Sequence, residues 1–343
     1  MKVFNYFLLL FAPIGLFAQT IVSTTPTNKN VVLEEFTGIN CGYCPQGHTI
    51  ANQIATSNPG RVVVINVHTG TYANPQAGQP DFRTSFGTSL MTQSVLTGFP
   101  AGTVNRHVFP GYEMSSGNTA MGRSNWTSAS NTILAQSSCL NIGATATIDV
   151  QSRELEVYVE VYYTGNSETS TNKLNVALLQ NNTIGYQAGG GAEYNHMHRL
   201  VHLITGQWGE TISTTTNGTL YTKTLTYTIP EKYNSIPAML EDMELGIFVS
   251  EGNQEVITGI LVEPDFVNAP PVDFKINDFT IPDELNSATI SPQVEIKSYG
   301  NETLTSLDIS YQINDDTPVD FEWNGSLQFG ESVTVDLPTS NDF

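Results

Sequence analysis

Two cysteines separated by two residues are the part of this sequence best suited to chemistry. Cys41 and Cys44 lie in FTGINCGYCPQGH, after a short apolar run and before a predicted helix, whose first turn accommodates Pro45. At a helix N-terminus, free N–H groups and the helix dipole stabilise a thiolate, the attacking species in disulfide exchange. The pair could therefore exchange disulfides, form a static disulfide or hold a metal. In an exchanger, Cys41 would be the nucleophile and Cys44 the resolving cysteine.

The elements around this pair predict a compact α/β domain over residues 19–140. The apolar, β-branched runs VVLEEFT and RVVVINVH predict two strands, and helical spacing follows Cys44. Further along come a helix around DFRTSFGTSLMTQ, a strand in GFPAGTVNR and a polar helix over about 119–136. This alternation of strands and helices is typical of an α/β fold.

Beyond residue 140 the pattern changes to alternating apolar and polar residues. That period is typical of half-buried antiparallel strands and predicts a β-sandwich over 141–266, followed by a Pro-punctuated linker over 267–271. Four or five short strands in 272–343 predict an immunoglobulin-like sandwich. Such a domain has about seven strands and about 100 residues, so we expect the last strands to be missing. The predicted fold class is thus multidomain, an α/β domain followed by two mainly antiparallel β-sandwiches.

The N-terminal residues predict export. Lys2, an apolar run from Phe7 to Phe17 and a cleavage point at Ala18 are typical of a signal peptide over residues 1–18. The run is shorter than the roughly 20 apolar residues of a membrane span, so no transmembrane segment is expected after cleavage. An outer-membrane surface, extracellular or periplasmic location follows. With three cysteines in an oxidising compartment, Cys139 is left over from the Cys41–Cys44 pair.

The charge distribution excludes nucleic-acid partners. The chain has 343 residues and a net charge of −20. Residues 19–140 have a balance of +1, against −10 for 141–271 and −12 for 272–343. Acidic surfaces repel phosphate backbones, so a protein or another cell-surface ligand is the expected partner. No cofactor motif is present, since QAGGGAEY lacks a P-loop lysine and is interpreted as a flexible loop.

The stretch LEEFTGINCGYC resembles the thioredoxin-like family over about 31–138. The resemblance implies a proton-accepting role for Glu35, and a substrate-binding role for Pro100, at the family's cis-proline position, together with Phe99. Asn40 and Tyr43 depart from the Trp and Pro of the family motif. Because of these two departures, the resemblance does not predict the redox potential or the substrate.

The whole arrangement resembles a family of Gram-negative outer-membrane proteins named for a twenty-eight-kilodalton (Omp) member. EYNHMHRLVHLITGQWGE and MELGIFVSEGNQEVITG are similar to that family's second domain, and the segment from 272 is similar to cell-adhesion-related modules. The resemblance implies a surface-associated or exported protein acting in binding or adhesion, without an agreed catalytic activity. The alternative is an extracytoplasmic thiol–disulfide oxidoreductase that uses Cys41 and Cys44.

Histidines offer two alternative metal sites. His196, His198 and His202 in HMHRLVH are one set, but no single helix or strand geometry brings all three to one face. Cys41 and Cys44 with His48 and His68 are the other. Packing of strand-end histidines is preferred for the first set, and closed zinc sites draw on a second close ligand pair that the other lacks. The expected metal content is none.

Two acidic features have structural explanations. Glu34 and Glu35 are neighbours in a strand and point to opposite faces, so one is expected to be buried and the other solvated. NDDTPVD is either an acidic hairpin turn or a Ca²⁺ ligand set. Neither feature predicts a pair of catalytic carboxylates.

Overall fold

The computed structural model describes residues 20–280, 290–313 and 317–339. The predicted signal peptide lies outside the described residues, as do residues 314–316 of NDDTPVD. Within the described ranges, no helix has the length and apolar character needed to cross a membrane.

The described chain is rich in β-structure, with three α-helices. The helices are α1 (Cys44–Ser57), α2 (Gly87–Ser94) and α3 (Trp126–Leu134). The strands up to the middle of the chain are β1 (Val31–Thr37), β2 (Val62–His68), β3 (Ala101–Val104), β4 (Met121–Gly122), β5 (Leu140–Asp149), β6 (Glu154–Tyr163), β7 (Asn172–Gln180), β8 (Thr183–Gln187), β9 (Gly191–His196), β10 (Arg199–Leu203) and β11 (Glu210–Ile212). The later strands are β12 (Leu220–Thr228), β13 (Lys232–Tyr233), β14 (Ile236–Pro237), β15 (Met243–Glu251), β16 (Val256–Val262), β17 (Asp265–Val267), β18 (Phe274–Thr280), β19 (Gln293–Ser298), β20 (Leu304–Tyr311), β21 (Val319–Leu327) and β22 (Ser332–Asp336).

One nine-stranded sheet runs through the part of the chain before residue 263. Its order is β16-β15-β7-β10-β2-β1-β3-β4, with β11 paired to β7. β10 is parallel to β2 and antiparallel to β7, so it joins strands from both sides of residue 140. A sequence pattern indicates where each strand lies but not which strand it pairs with. One continuous sheet across residue 140 was therefore not predicted. The division at residue 140 stays a prediction.

Both faces of β1 and β2 are covered. On one face, Val31, Leu33 and Val64 pack against residues of α1 and α3. On the other face, Val32, Phe36 and Val63 pack with Leu90 of α2 and with residues of β7, β10 and β15. Strands covered on both sides are apolar throughout, which explains why VVVINVH does not alternate.

A second, four-stranded sheet, β12-β6-β5-β17, packs on the far half of the long sheet. Alternate residues of β5 and β6, such as Leu155, Val157 and Val159, share a core with Val176 and Ile247 of the long sheet. Strands β18 to β22 enclose a further hydrophobic cluster that includes Ile296, Trp323 and Val335. The protein is therefore a β-rich multidomain protein built from several sheets.

The expectation that one of Glu34 and Glu35 is solvated was wrong, since their exposed fractions are 2 % and 0 %. The alternation of faces is correct, but neither face of β1 reaches water. Glu34 accepts two hydrogen bonds from the guanidinium of Arg106, at 2.6 Å and 2.7 Å. That guanidinium also lies over the ring of Phe248. Glu34 is thus half of a buried, bidentate ion pair.

Replacing Glu34 by Gln is expected to destabilise the fold strongly. The change leaves the buried Arg106 guanidinium without its counter-charge, and breaking a buried ion pair costs about 3–5 kcal/mol. Urea unfolding followed by tryptophan fluorescence measures this loss. Glu210→Gln is the matched control, because its ion pair with Lys223 is more than one-third exposed, and its expected cost is under about 1 kcal/mol. Equal losses in the two variants would contradict the assigned role of the Glu34–Arg106 pair.

Candidate functional site at the Cys41–Cys44 disulfide

The two cysteines form a disulfide at the start of α1. The Sγ–Sγ distance is 2.18 Å, and Cys44 is the first residue of the helix. Cys41 is 3 % exposed and Cys44 is fully buried, whereas Tyr43 between them is 72 % exposed. The disulfide is therefore covered by protein, and the loop presents an aromatic ring to solvent in its place.

A hairpin made by β8 and β9 covers the disulfide. The backbone N–H of Ala188 donates to the carbonyl of Ile39 at 2.7 Å. The buried side-chain amide of Gln187 donates to the carbonyls of Gly38 and Cys41, at 3.2 Å and 3.0 Å. The segment QAGGGAEY is thus the docked tip of a hairpin. Its interpretation as a flexible loop was wrong, because the segment forms a hairpin in which Gly189 makes a close backbone contact with Gly42.

Gly189 makes this contact possible. Its φ of +79° favours glycine, and a Cβ there would lie 2.4 Å from the carbonyl oxygen of Gly42. Neither backbone can move away without breaking the hydrogen bonds that hold the hairpin. A side chain at Gly189 is therefore incompatible with the docked hairpin.

Glu35 lies beneath the helix that begins at Cys44. A Cβ on Gly47 would lie 2.3 Å from Oε1 of Glu35, so the carboxyl group occupies the space that this glycine leaves. Neither carboxyl oxygen has a hydrogen-bond partner among the described residues. Burial raises the pKa of Glu35 well above its ordinary value, and the positive charge of Arg123 offsets part of this shift. These surroundings favour the neutral acid.

His48 is the nearest ionisable neighbour of Glu35. Its Nε2 lies 3.8 Å from Oε1 of Glu35 and is hydrogen-bonded to the hydroxyl of Thr37 at 3.0 Å. Its Nδ1 is hydrogen-bonded to the hydroxyl of Tyr194, on the covering hairpin, at 2.8 Å. Burial, helped by His196, lowers the pKa of His48 to about 3. His48 is therefore neutral at physiological pH and links α1 to the hairpin.

Two further histidines lie behind this layer. The rings of His68, at the end of β2, and His196, at the end of β9, have centroids 5.5 Å apart and both contact Phe82. Nδ1 of His68 has no hydrogen-bond partner in the described part of the chain. Burial lowers the pKa of His196 to about 4 and that of His68 well below its usual range. The cluster is buried and neutral.

The predicted substrate-binding residues lie beside the helix. The Phe99–Pro100 peptide bond is cis, as the family resemblance implied. Pro100 is buried, and its Cβ would lie 3.2 Å from a Cβ on Gly47. Phe99 packs edge-on against Tyr72. Their roles in substrate binding stay predictions, as do those of Cys41, Cys44 and Glu35 in catalysis.

The three histidines of HMHRLVH have separate surroundings. His196 lies in the buried cluster, His198 contacts Glu244 at 2.5 Å, and His202 stacks on Tyr227. The cysteines of the other candidate set are bonded to each other. Across the described ranges, no three His, Cys, Asp or Glu residues are arranged to hold a metal ion.

Sequence reasoning missed Gln187, Tyr194 and Arg199. Gln187 and Tyr194 reach the Cys41–Cys44 loop from about 150 residues away in the chain, which no local pattern indicates. Arg199 had a usable signal, since it opens the otherwise apolar strand RLVHL. It lies beside the histidine cluster, where burial and then the neighbours His196, His48 and Arg199 lower the pKa of His68.

One solved structure agrees with a β-rich multidomain architecture. HBP35 of Porphyromonas gingivalis has a similar structure, with a TM-score of 0.53 and 16 % identity over 86 % of this chain and 98 % of that one. A domain of the outer membrane lipoprotein Omp28 from the same organism is 19 % identical, with a TM-score of 0.28 over 38 % of this chain and 90 % of that one. No curated protein matches the chain.

The sheets and hydrophobic clusters define a β-rich, multidomain protein. A family model described as outer membrane protein Omp28 matches residues 88–260, which is half of the chain. The chain belongs to the Omp28 family. It is therefore exported and associated with the outer membrane, as the resemblance in its sequence implied.

Glu35→Gln is expected to make stability less dependent on pH. Above the ordinary pKa of 4.5, Glu35 ionises in the unfolded chain while burial keeps it protonated in the folded one. Rising pH therefore destabilises the wild type by up to about 1.4 kcal/mol per unit until the raised folded pKa is passed. The amide that replaces the carboxyl group has no proton to lose, so the variant gains stability relative to wild type at neutral pH and not at pH 4.

Urea midpoints measured between pH 4 and pH 9 test this expectation. Glu154→Gln removes the same charge from an exposed position and serves as the control. Parallel pH profiles for wild type and Glu35→Gln would show that the carboxyl group is ionised in the folded protein.

Proposed function

We propose that this protein is a surface-associated binding protein, and that its Cys41–Cys44 disulfide stabilises the loop on which the β8–β9 hairpin docks. The observation that carries the proposal is the burial of Cys41. Disulfide exchange begins with attack along the S–S axis, so the attacked sulfur must be reachable. At 3 % exposure beneath a docked hairpin, Cys41 is not reachable by a folded protein partner.

The surroundings of the disulfide support a role in binding. Tyr43 and Tyr72 expose 72 % and 48 % of their surfaces near the covered cysteines. Tyrosine rings supply large contact areas at a small loss of side-chain entropy and are enriched in interfaces. The strands after residue 140 add a broad acidic surface. A protein or another cell-surface ligand is the class of partner we infer, with adhesion as one form of that role.

We infer further that the N-terminal part has a thioredoxin-like arrangement. The parallel unit β1-α1-β2 is followed by antiparallel β3 and by α3, which packs on the same face as α1. The CxxC pair lies at the N-terminus of α1, above a buried acid. In this protein, β7, β10 and β15 extend the sheet beyond that arrangement, and the hairpin covers the pair.

A thiol–disulfide oxidoreductase is the second candidate function. Glu35 favours it, because a buried carboxyl group without a hydrogen-bond partner is costly and is typical of functional sites. In this alternative, Cys41 attacks as a thiolate and Cys44 resolves the mixed disulfide. Glu35, after it has lost its own proton to solvent, accepts the proton of the resolving thiol. The hairpin would have to leave the Gly38–Gly42 loop before each exchange.

The reduction potential of the Cys41–Cys44 pair distinguishes the two functions. A structural disulfide has a potential below about −300 mV, and working exchangers lie between about −270 and −120 mV. We expect the lower value from equilibration with dithiothreitol, together with no reduction of insulin. A potential in the upper range, with insulin reduction that is lost in Cys41→Ser, would establish the oxidoreductase and overturn the first proposal.

Gly189→Ala is expected to uncover the disulfide. The added Cβ clashes with the carbonyl of Gly42 and weakens the docked hairpin by about 1 kcal/mol, the net value of one hydrogen bond. Reduction by dithiothreitol should then be about fivefold faster. Gly191→Ala is the matched control, because this position also has a positive φ but no atom within 4 Å of its Cβ. Equal rates in the two variants would show that the hairpin does not control access to Cys41.

A further inference from the structure

A cleft lies beside the histidine cluster, with His68 in its wall. Its volume is about 700 Å³. His68 at the end of β2, Arg199 and His202 on β10, and Tyr233 on β13 form part of its wall, and Ser85 and Thr88 at the start of α2 form another part. Segments far apart in the chain therefore meet there, and none of the roles proposed above uses this space.

Arg199 is the unusual residue of this cleft. It is 2 % exposed and yet belongs to the cleft wall. One terminal nitrogen donates to Oε1 of Gln180 at 2.8 Å, and the guanidinium carbon lies 5.1 Å from the centre of the Phe82 ring. Nε has no hydrogen-bond partner, and in the described residues no carboxylate forms an ion pair with Arg199. It is a buried cation without a counter-charge.

Burying a cation without a counter-charge costs free energy, and this cost lowers the pKa of the group. Burial lowers the pKa of Arg199 to about 10, so the side chain is still charged at neutral pH. Buried charges in proteins are normally paired. The buried Glu34–Arg106 pair shows how the same sheet compensates a charge within the chain. At Arg199, the compensating anion has to come from outside.

The rest of the cleft does not supply that anion. Asp81 also lines the cleft, but its carboxylate is held by the guanidinium of Arg83 at 2.8 Å. That pair is electrically neutral, which leaves the charge of Arg199 in excess. His68 contributes a second buried nitrogen, Nδ1, that has no partner in the described chain. The N-terminal end of α2, where the helix dipole is positive, also lies at this cleft, and the hydroxyl groups of Ser85 and Thr88 line it.

We propose that this cleft binds a small polar molecule through a carboxylate or phosphate group, with the guanidinium of Arg199 as its charged anchor. The unpartnered Nε–H of Arg199 and the unpartnered Nδ1 of His68 belong to residues that line this cleft together with Ser85 and Thr88, and the charged groups of the lining have a net positive charge. Charge-assisted hydrogen bonds between a guanidinium and an oxyanion are among the strongest in proteins. The proposal is independent of whether the disulfide is structural or redox-active.

The test uses trifluoroacetate as a reporter of oxyanion binding to the full chain. Fluorine NMR is expected to show saturable broadening of its signal, reversed by inorganic phosphate or by acetate, and not by chloride at equal ionic strength. Preferential displacement by phosphate assigns a phosphate-bearing ligand, and preferential displacement by acetate assigns a carboxylate-bearing one. Absence of saturable broadening in the folded wild type, or broadening that neither anion reverses, would overturn the proposal.

Variants locate the binding. Arg199→Gln removes the charge and is expected to weaken binding tenfold or more, whereas Lys223→Gln removes a positive charge outside the cleft and should leave it unchanged. Ser85→Trp fills the mouth of the cleft from an exposed position and should also abolish binding, with the circular dichroism spectrum unaltered. If Arg199→Gln does not fold, Ser85→Trp is the variant that tests whether the oxyanion binds in this cleft. Unchanged affinity in Ser85→Trp, or in a folded Arg199→Gln, would contradict the proposal.

Discussion

The pairing of β10 with β2 is the interaction on which the rest of the structure depends. The backbone N–H of Asn66 on β2 donates to the carbonyl of His198 at 2.8 Å, and its side-chain amide donates to Met197. These bonds bring a segment from beyond residue 190 to what would otherwise be the edge of a small α/β sheet. Because β8 and β9 immediately precede β10, the same pairing places their hairpin over the disulfide. It also brings Arg199 to the cleft.

Covering both sides of the sheet removes water from every charged group along β1 and β10. Three charges meet this constraint in three ways. The negative charge of Glu34 is balanced by Arg106 in a bidentate ion pair. Glu35 keeps its proton, because burial raises its pKa, and is therefore neutral. Arg199 remains charged, with an amide oxygen and an aromatic ring as its neighbours. Burying an ion costs free energy unless a partner balances its charge. A buried charge with a partner in the chain therefore has a structural role, whereas one without such a partner is available for chemistry or binding.

The elements of the fold were largely predictable because their signals are local. The apolar run at 61–68 became β2, the helical spacing after Cys44 became α1, and the alternation after residue 140 became long antiparallel strands. Long-range partners were not predictable, because pairing between β10 and β2 depends on hydrogen bonds across more than 130 residues. The error at Glu34 has the same origin. Its face was correctly inferred, but Arg106 and Phe248, which exclude water there, are distant from Glu34 in the sequence.

The candidate site likewise contains features that the sequence predicts and features that it does not predict. The strand, the CxxC pair, the helix and the acid are adjacent in sequence, so Cys41, Cys44 and Glu35 could be named without a structure. The hairpin could not be predicted from the sequence, because a glycine-rich segment has no hydrophobic pattern and is interpreted as a loop. What matters at Gly189 is the absence of a side chain, which allows two backbones to meet. Sequence patterns report side chains and therefore do not detect such contacts.

The docked hairpin also constrains how the disulfide and the histidine cluster can behave. Tyr194 and Gln187 belong to the hairpin, and they bond to His48 and to the carbonyl of Cys41. If the hairpin moved, the hydrogen bonds from Tyr194 to His48 and from Gln187 to the carbonyl of Cys41 would break together. Burial sustains both the low pKa of His48 and the raised pKa of Glu35. Release of the hairpin would therefore change the surroundings of His48 and of Cys41 in one step, because both residues are bonded to it.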